Sequence, residues 1–193
     1  MAKPRIGVII SSTRDTRFAD KPAQWLMDKV KDHADLEFEL IDLRDANLPF
    51  FNEPASNLWM PSSDPNAVAW QEKLASFDGF LFVVAEYNRS ITGALKNALD
   101  QAYKEWNRKP FSALAYGSMG GARALEHLRL IGIELQMVPL RNAVHIGGGD
   151  FFKVSPLGAN APMSEIEGNL EGSLKATLDE LSWWAKTLQN ARN

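Results

Sequence analysis

The chain has 193 residues with ordinary apolar and charged fractions, enough to bury a core unaided, and is most economically one domain spanning 1–193. Its formal net charge of −3 disfavours a large basic footprint, and with it nucleic acid as a partner. The absence of cysteine excludes disulfides, zinc thiolate sites, iron–sulfur clusters and a thiol nucleophile.

The first apolar run, Arg5–Ile10, predicts a strand. It is too short for a signal-peptide core or a membrane span, so a cytoplasmic protein without a membrane partner is expected. The loop Ser11-Ser12-Thr13-Arg14-Asp15-Thr16-Arg17-Phe18 follows. A helix is expected over Asp20–His33, with Asp20 as its cap and Pro22 in its first turn. A second strand, Leu36–Ile41, leads into a long connection from Leu43 to Pro65 that holds Phe50, Phe51, Leu58, Trp59 and Met60. Long ordered loops usually cover something. Here either the apolar side chains fill a corner of the core, or Leu58, Trp59 and Met60 help wall a ligand site or a subunit contact.

A helix over Asn66–Ser76 precedes the third strand, Gly79–Val84, which passes into Ala85-Glu86-Tyr87-Asn88-Arg89-Ser90 and a helix over Gly93–Trp106. A fourth strand, Ser112–Tyr116, reaches Gly117-Ser118-Met119-Gly120-Gly121 and a helix over Gly121–Glu134. The fifth strand is expected at Met137–Val144. Gly147–Asp150 then reads as a mobile turn that opens no helix, and a last helix covers Glu165–Gln189.

Strand–helix alternation repeated five times implies parallel strands joined by right-handed crossovers. The fold class expected is a three-layer α/β/α sandwich around a five-stranded parallel sheet in the order 2-1-3-4-5. Its switch point lies between strands one and three, where ligands bind at the carboxyl ends of the strands. The loops after Ile10, Val84 and Tyr116 converge there.

Each of these loops suits part of a flat, phosphorylated ligand. Hydroxyls, exposed amides and guanidinium groups in the first suit a single phosphate. No G-x-x-x-x-G-K-[ST] or G-x-G-x-x-G is present, so neither a nucleoside-triphosphate loop nor a Rossmann dinucleotide site is expected. Tyr87 is placed to border a planar ring, and Asn88 offers a donor and an acceptor to a ring edge. Glu86 suits holding a neighbouring loop or a second subunit. Glycines in the third loop permit close backbone approach. His33, His127 and His145 lack metal spacing, and no metal is expected. Ser118 sits where the nucleophile of a G-x-S-x-G elbow would, but Tyr116 replaces the first glycine and no histidine follows Asp150, which argues against a hydrolase.

With these three blocks in view, the chain resembles the flavodoxin-like NAD(P)H-dependent FMN reductases. The resemblance is carried by Ser11-Ser12-Thr13-Arg14, by Ala85-Glu86-Tyr87-Asn88 with Thr92-Gly93-Ala94-Leu95-Lys96-Asn97, and by Gly117-Ser118-Met119-Gly120-Gly121-Ala122-Arg123 with Leu128-Arg129. It departs from the family pattern at Ser11, where Gly is usual, and at Ala85 and Thr92, where Pro is usual. The resemblance implies that Ser12, Thr13, Arg14 and Arg17 hold the FMN phosphate. Glu86, Tyr87 and Asn88 would then lie along the isoalloxazine ring, and Ser118, Met119, Gly120 and Gly121 would close around its pyrimidine side. It further implies an enzyme passing hydride from NADPH or NADH through FMN to a flavin, quinone or similar small acceptor by a ping-pong cycle, working as a homodimer or homotetramer. The alternatives are a flavodoxin-type electron carrier and a flavin-bound redox sensor without turnover of its own.

Overall fold

The computed structural model of the protein describes residues 2–192. Its strands are β1 (Arg5–Ile10), β2 (Glu37–Asp42), β3 (Gly79–Ala85), β4 (Pro110–Tyr116), β5 (Val138–Pro139) and β6 (Val144–Ile146). Its helices are α1 (Asp20–Val30), α2 (Pro65–Ala75), α3 (Gly93–Asp100), α4 (Ala122–Glu134), α5 (Gly148–Val154) and α6 (Glu167–Arg192). The sheet runs β2-β1-β3-β4-β5, all pairs parallel, which is the flavodoxin-like order expected.

Alternation along each strand sorts its side chains between two cores. Val8 of β1 and Leu81 and Val83 of β3 pack with Leu26 of α1 and Leu170 and Leu181 of α6. Ile9, Phe80 and Phe82 face the other way, onto Trp70 of α2, Leu95 and Leu99 of α3 and Leu125 of α4. Strands β3 and β4 are buried along their whole length because helices cover both faces, whereas β2, at the edge, is half open.

Several expected boundaries shift, each for a local reason. The fifth strand is not continuous over Met137–Val144 but is split into β5 and β6, both paired with β4. The break is held in place: Ser112 Oγ donates to Asn142 O at 2.5 Å, and the Glu180 carboxylate of α6 accepts from the N–H groups of Arg141 and Asn142. Helix α3 ends at Asp100 rather than Trp106, because the chain turns after Gln101; Trp106 still packs inward, donating from Nε1 to Leu99 O. Helix α1 ends at Val30, and His33 Nδ1 accepts from the N–H groups of Asp35 and Leu36. Asp20 is not its cap; the carboxylate is taken by Arg17. The Gly147–Asp150 run does open a helix, α5, whose Phe151 packs edge-on against Phe18 with ring centroids 5.7 Å apart.

The long connection leaves Phe50 and Trp59 87% and 79% exposed, so these rings do not fill a core corner. Asn97 pins the stretch to α3, accepting from Phe51 N at 2.9 Å and donating to Pro49 O at 2.8 Å. Among the described residues, no helix is long and apolar enough to cross a membrane.

Candidate active site

The loops after β1, β3 and β4 do meet at one rim. A cavity of about 320 Å³ there is lined by Ser12, Arg14, Thr16, Arg17 and Phe18 from the first loop. Glu86 and Tyr87 come from the second, and Tyr116 and Gly117 from the third. Phe151, Ser155, Pro156 and Leu157 close the far side. A hollow of about 360 Å³ between β2 and α2 receives no residue from these loops.

The feet of the first two loops are locked together. Ser11 N donates to Val83 O at 3.1 Å, continuing the sheet one residue past β1. The Ser11 hydroxyl then accepts from Ala85 N at 3.1 Å, and Ser11 O accepts from Thr92 Oγ1 at 2.6 Å. Thr92 Oγ1 in turn accepts from Leu95 N, capping α3. The three positions that depart from the family pattern therefore form one buried hydrogen-bonded cluster. Ala85 keeps an N–H that proline would lack, and Ser11 supplies its acceptor.

Above that lock the first loop is open. None of the backbone N–H groups of Ser12, Thr13, Arg14, Asp15 and Thr16 finds an acceptor among the described residues, and Arg14 makes no ion pair there. Consecutive unpaired amides beside a guanidinium form a concave anion site. Arg17 is different. Its side chain is 1% exposed, and all five donors are occupied: two by Asp20, two by Asp42 and one by Ser12 O. Burial works against the charges of Arg17 and Asp42. The hydrogen bonds between them, together with those from Arg17 to Asp20 and from Arg44 to Asp42, outweigh it, raising the guanidinium pKa and holding the Asp42 carboxyl well below the usual carboxylate range. Arg17 as placed braces the loop and leaves no N–H for a phosphate.

The second loop is a tight reversal. Tyr87 and Ser90 exchange N–H···O bonds of 2.9 and 3.0 Å, with Asn88 and Arg89 at φ 49° and 70° between them. Positive φ at both central positions is the signature of a type I′ turn, and asparagine tolerates it. The turn presents Tyr87, whose hydroxyl lies 3.1 Å from Ser12 Oγ. Glu86 points sideways to the first turn of α4, just past the third loop, where the Arg123 side chain and the N–H groups of Arg123 and Ala124 bind it. Burial raises the pKa of Glu86, but the bonds from Arg123 and Ala124 bring it below the ordinary carboxylate value.

The third loop depends on glycine. At Gly121, φ is 67° and a Cβ would sit 2.7 Å from Tyr116 N. Gly147 packs so tightly beneath the loop that its Cβ would fall 2.6 Å from Gly120 N. Burial pushes the Tyr116 phenol upward, so it stays neutral.

The cavity thus brings together Ser12, Arg14, Arg17, Glu86 and Tyr87. Thr13 lines an adjoining hollow with Phe50 and Gly93; Asn88, Ser118, Met119, Gly120 and Gly121 lie on the loops but line neither. Sequence reasoning missed Thr16, Phe18, Tyr116, Phe151 and Ser155–Leu157. Apolar spacing at Phe151 and Val154 after Asp150 was the signal for α5, whereas nothing local marks Ser155 as facing a cavity.

The profile of a family described as NADPH-dependent FMN reductase matches residues 4–150. An NAD(P)H-dependent FMN reductase, ntnL, from Nectria sp. is 30% identical over 92% of this chain and 94% of its own. A 2-hydroxy-1,4-benzoquinone reductase from Burkholderia sp. is 32% identical, over 69% and 73% respectively. Among solved structures, FerB, a flavoenzyme NAD(P)H:(acceptor) oxidoreductase from Paracoccus denitrificans, superposes with a TM-score of 0.68. It has 23% identity over 92% of this chain and 97% of that one.

Proposed function

Because the chain belongs to the NADPH-dependent FMN reductase family, and is an enzyme that uses FMN and NAD(P)H, we propose that it passes reducing equivalents to quinones, free flavins or similar small acceptors by a ping-pong cycle. In this reading it works in the cytoplasm, as one domain over residues 1–193 and as a homodimer or homotetramer.

The run of unpaired amides at Ser12–Thr16 beside Arg14 carries the reading, because it suits an anion such as a single phosphate. FMN suits the rest of the cavity too: Tyr87 and Tyr116 give its lining aromatic surface beside the polar groups of Ser12, Arg14 and Glu86. In this assignment Ser12, Thr13 and Arg14 hold the phosphate, while Arg17 positions the loop that does so. Glu86, through Arg123, fixes the second loop against the third; Tyr87 and Asn88 border the ring. The Ser118 and Met119 N–H groups, without acceptors among the described residues, are donors available to the ring edge. Bound FMN supplies the two-electron chemistry; the protein supplies orientation and electrostatics. One open mouth serves both substrates in turn. No side chain is assigned as acid or base. Exposed Phe50, on the hollow that Thr13 lines, and exposed Trp59 on the same long connection support a subunit contact.

The purified protein is expected to be yellow, or to become so with added FMN, and to bleach with NAD(P)H in the absence of oxygen. Initial rates against a quinone at several NAD(P)H concentrations should give parallel reciprocal lines; intersecting lines would refute the shared mouth.

A further inference from the structure

Ser155 is 1% exposed, and its hydroxyl has no hydrogen-bond partner. Among the described residues the only other such side-chain atom is Asn57 Oδ1. Buried hydroxyls are normally paired, so an orphan calls for a cause. Ser155 lines the cavity just described, yet it lies beyond the 4–150 stretch that the family profile matches.

The segment that carries it is firmly built. Lys21 Nζ of α1 donates to Val154 O at 2.8 Å, to Asn160 Oδ1 at 2.7 Å and to Ala161 O at 3.0 Å. Both backbone groups of Ser155 are used: its N–H donates to Phe151 O at 2.9 Å, and its carbonyl accepts from Gly158 N and Asn160 N. At Gly158 an added Cβ would fall 1.8 Å from Phe152 O, so the chain doubles back against itself. The hydroxyl is therefore unpaired in a fixed frame, not in a loose loop. The residues that hold this frame are Phe18, the last of the first loop, and Lys21, in the opening turn of α1. Phe151, whose carbonyl accepts from Ser155 N, packs on Phe18 of the first loop, so Ser155 lines the cavity beside that loop.

We infer that Ser155 is a ligand-binding residue whose hydroxyl pairs with the polar tail of the flavin, the polyol and its phosphate. Phe151, Pro156 and Leu157 form the accompanying wall. The inference rests on the FMN assignment and adds residues to that site. A hydroxyl merely trapped in packing gives a different outcome. Its removal would leave binding untouched and relieve the apoprotein of an unsatisfied group.

The test is to measure dissociation constants of FMN, riboflavin and lumiflavin (the ring without a tail) for apoprotein of the wild type and of Ser155→Ala, with thermal midpoints of both apoproteins. Ser155→Ala should keep or raise the apo midpoint, weaken FMN by about tenfold and leave lumiflavin unchanged. Equal FMN affinity in the two proteins overturns the inference, as does an equal loss for FMN and lumiflavin. A wild type that binds none of the three overturns the FMN assignment itself, and this inference with it. Should Ser155→Ala fail to fold, Lys21→Met provides the second arm. It releases the segment without touching the hydroxyl and should weaken FMN while sparing lumiflavin; unchanged FMN affinity there also counts against the wall.

Discussion

Two buried serines at the site have opposite fates. Ser11, at the foot of the first loop, uses every polar atom on the protein: its N–H on Val83, its hydroxyl on Ala85, its carbonyl on Thr92. Ser155, on the far wall, pairs its backbone and leaves its hydroxyl alone. The same division runs through the whole rim. Arg17 is saturated, whereas Arg14, three residues earlier, has no ion pair among the described residues. Polar groups that set backbone geometry are satisfied internally, whereas the Arg14 side chain and the Ser155 hydroxyl, both on the cavity lining, have no partner among the described residues. A preorganised site needs both, since ordering a loop at the moment of binding subtracts from affinity.

If that division is real, the saturated residues should govern stability. Arg17→Ala should have the largest effect, about 3–5 kcal/mol, because it removes a buried guanidinium that binds Asp20, Asp42 and Ser12 O at once and leaves Asp42 to Arg44. Urea unfolding would show it; a loss below about 1 kcal/mol would mean that Arg17 is not a brace. Acid sharpens the point. The folded-state pKa of Asp42 lies below its unfolded value, so the unfolded chain binds the proton first as pH falls. The stabilisation is complete above pH ~4 and is lost as pH drops through the folded-state value. Asp42→Asn should be less stable than wild type at pH 7 and show a shallower decline below pH 4; parallel declines would remove Asp42 as the cause.

Gly121→Ala tests the third loop, where geometry rather than pairing is the constraint. Left-handed backbone and a Cβ 2.7 Å from Tyr116 N should together cost about 3 kcal/mol. Thr92→Val comes next at about 2 kcal/mol. It uncaps α3 and leaves Ser11 O buried without its donor. It should also weaken FMN, since the first and second loops share that anchor. Unaltered FMN binding in a destabilised Thr92→Val would separate the anchor from the site.

The division also explains what was legible in the sequence. Strands β1, β3 and β4 read clearly because burial on both faces demands continuous apolar runs. Ser12, Arg14 and Tyr87 read because a strand end followed by donors is a local pattern. Arg17 read as a phosphate ligand for the same local reason; its true partner Asp42 is 25 residues away, and no spacing rule connects them. Helix α5 was hidden by Gly147–Gly149 at its start. It has only 7 residues and is held by Phe151 against Phe18 and Tyr116, a tertiary contact without a sequence signature. The split of β5 from β6 depends likewise on Glu180, which reaches in from α6.

The smallest expected effect is the most discriminating. Ser11 and Ala85 stand where the family pattern has Gly and Pro, and the structure joins them by the bond from Ala85 N to Ser11 Oγ. Proline at 85 would remove that N–H and orphan a serine hydroxyl that is fully buried. Glycine at 11 would remove the acceptor and orphan the N–H. Each single change should therefore destabilise, while the double change Ser11→Gly with Ala85→Pro removes both halves at once. The double variant should be more stable than the sum of the singles implies, by about 1 kcal/mol, the scale of a coupled hydrogen-bonded pair. Strict additivity in urea unfolding would mean that these two residues are independent of each other. It would also mean that the lock at the foot of the loops is held by Thr92 and the strand ladder alone.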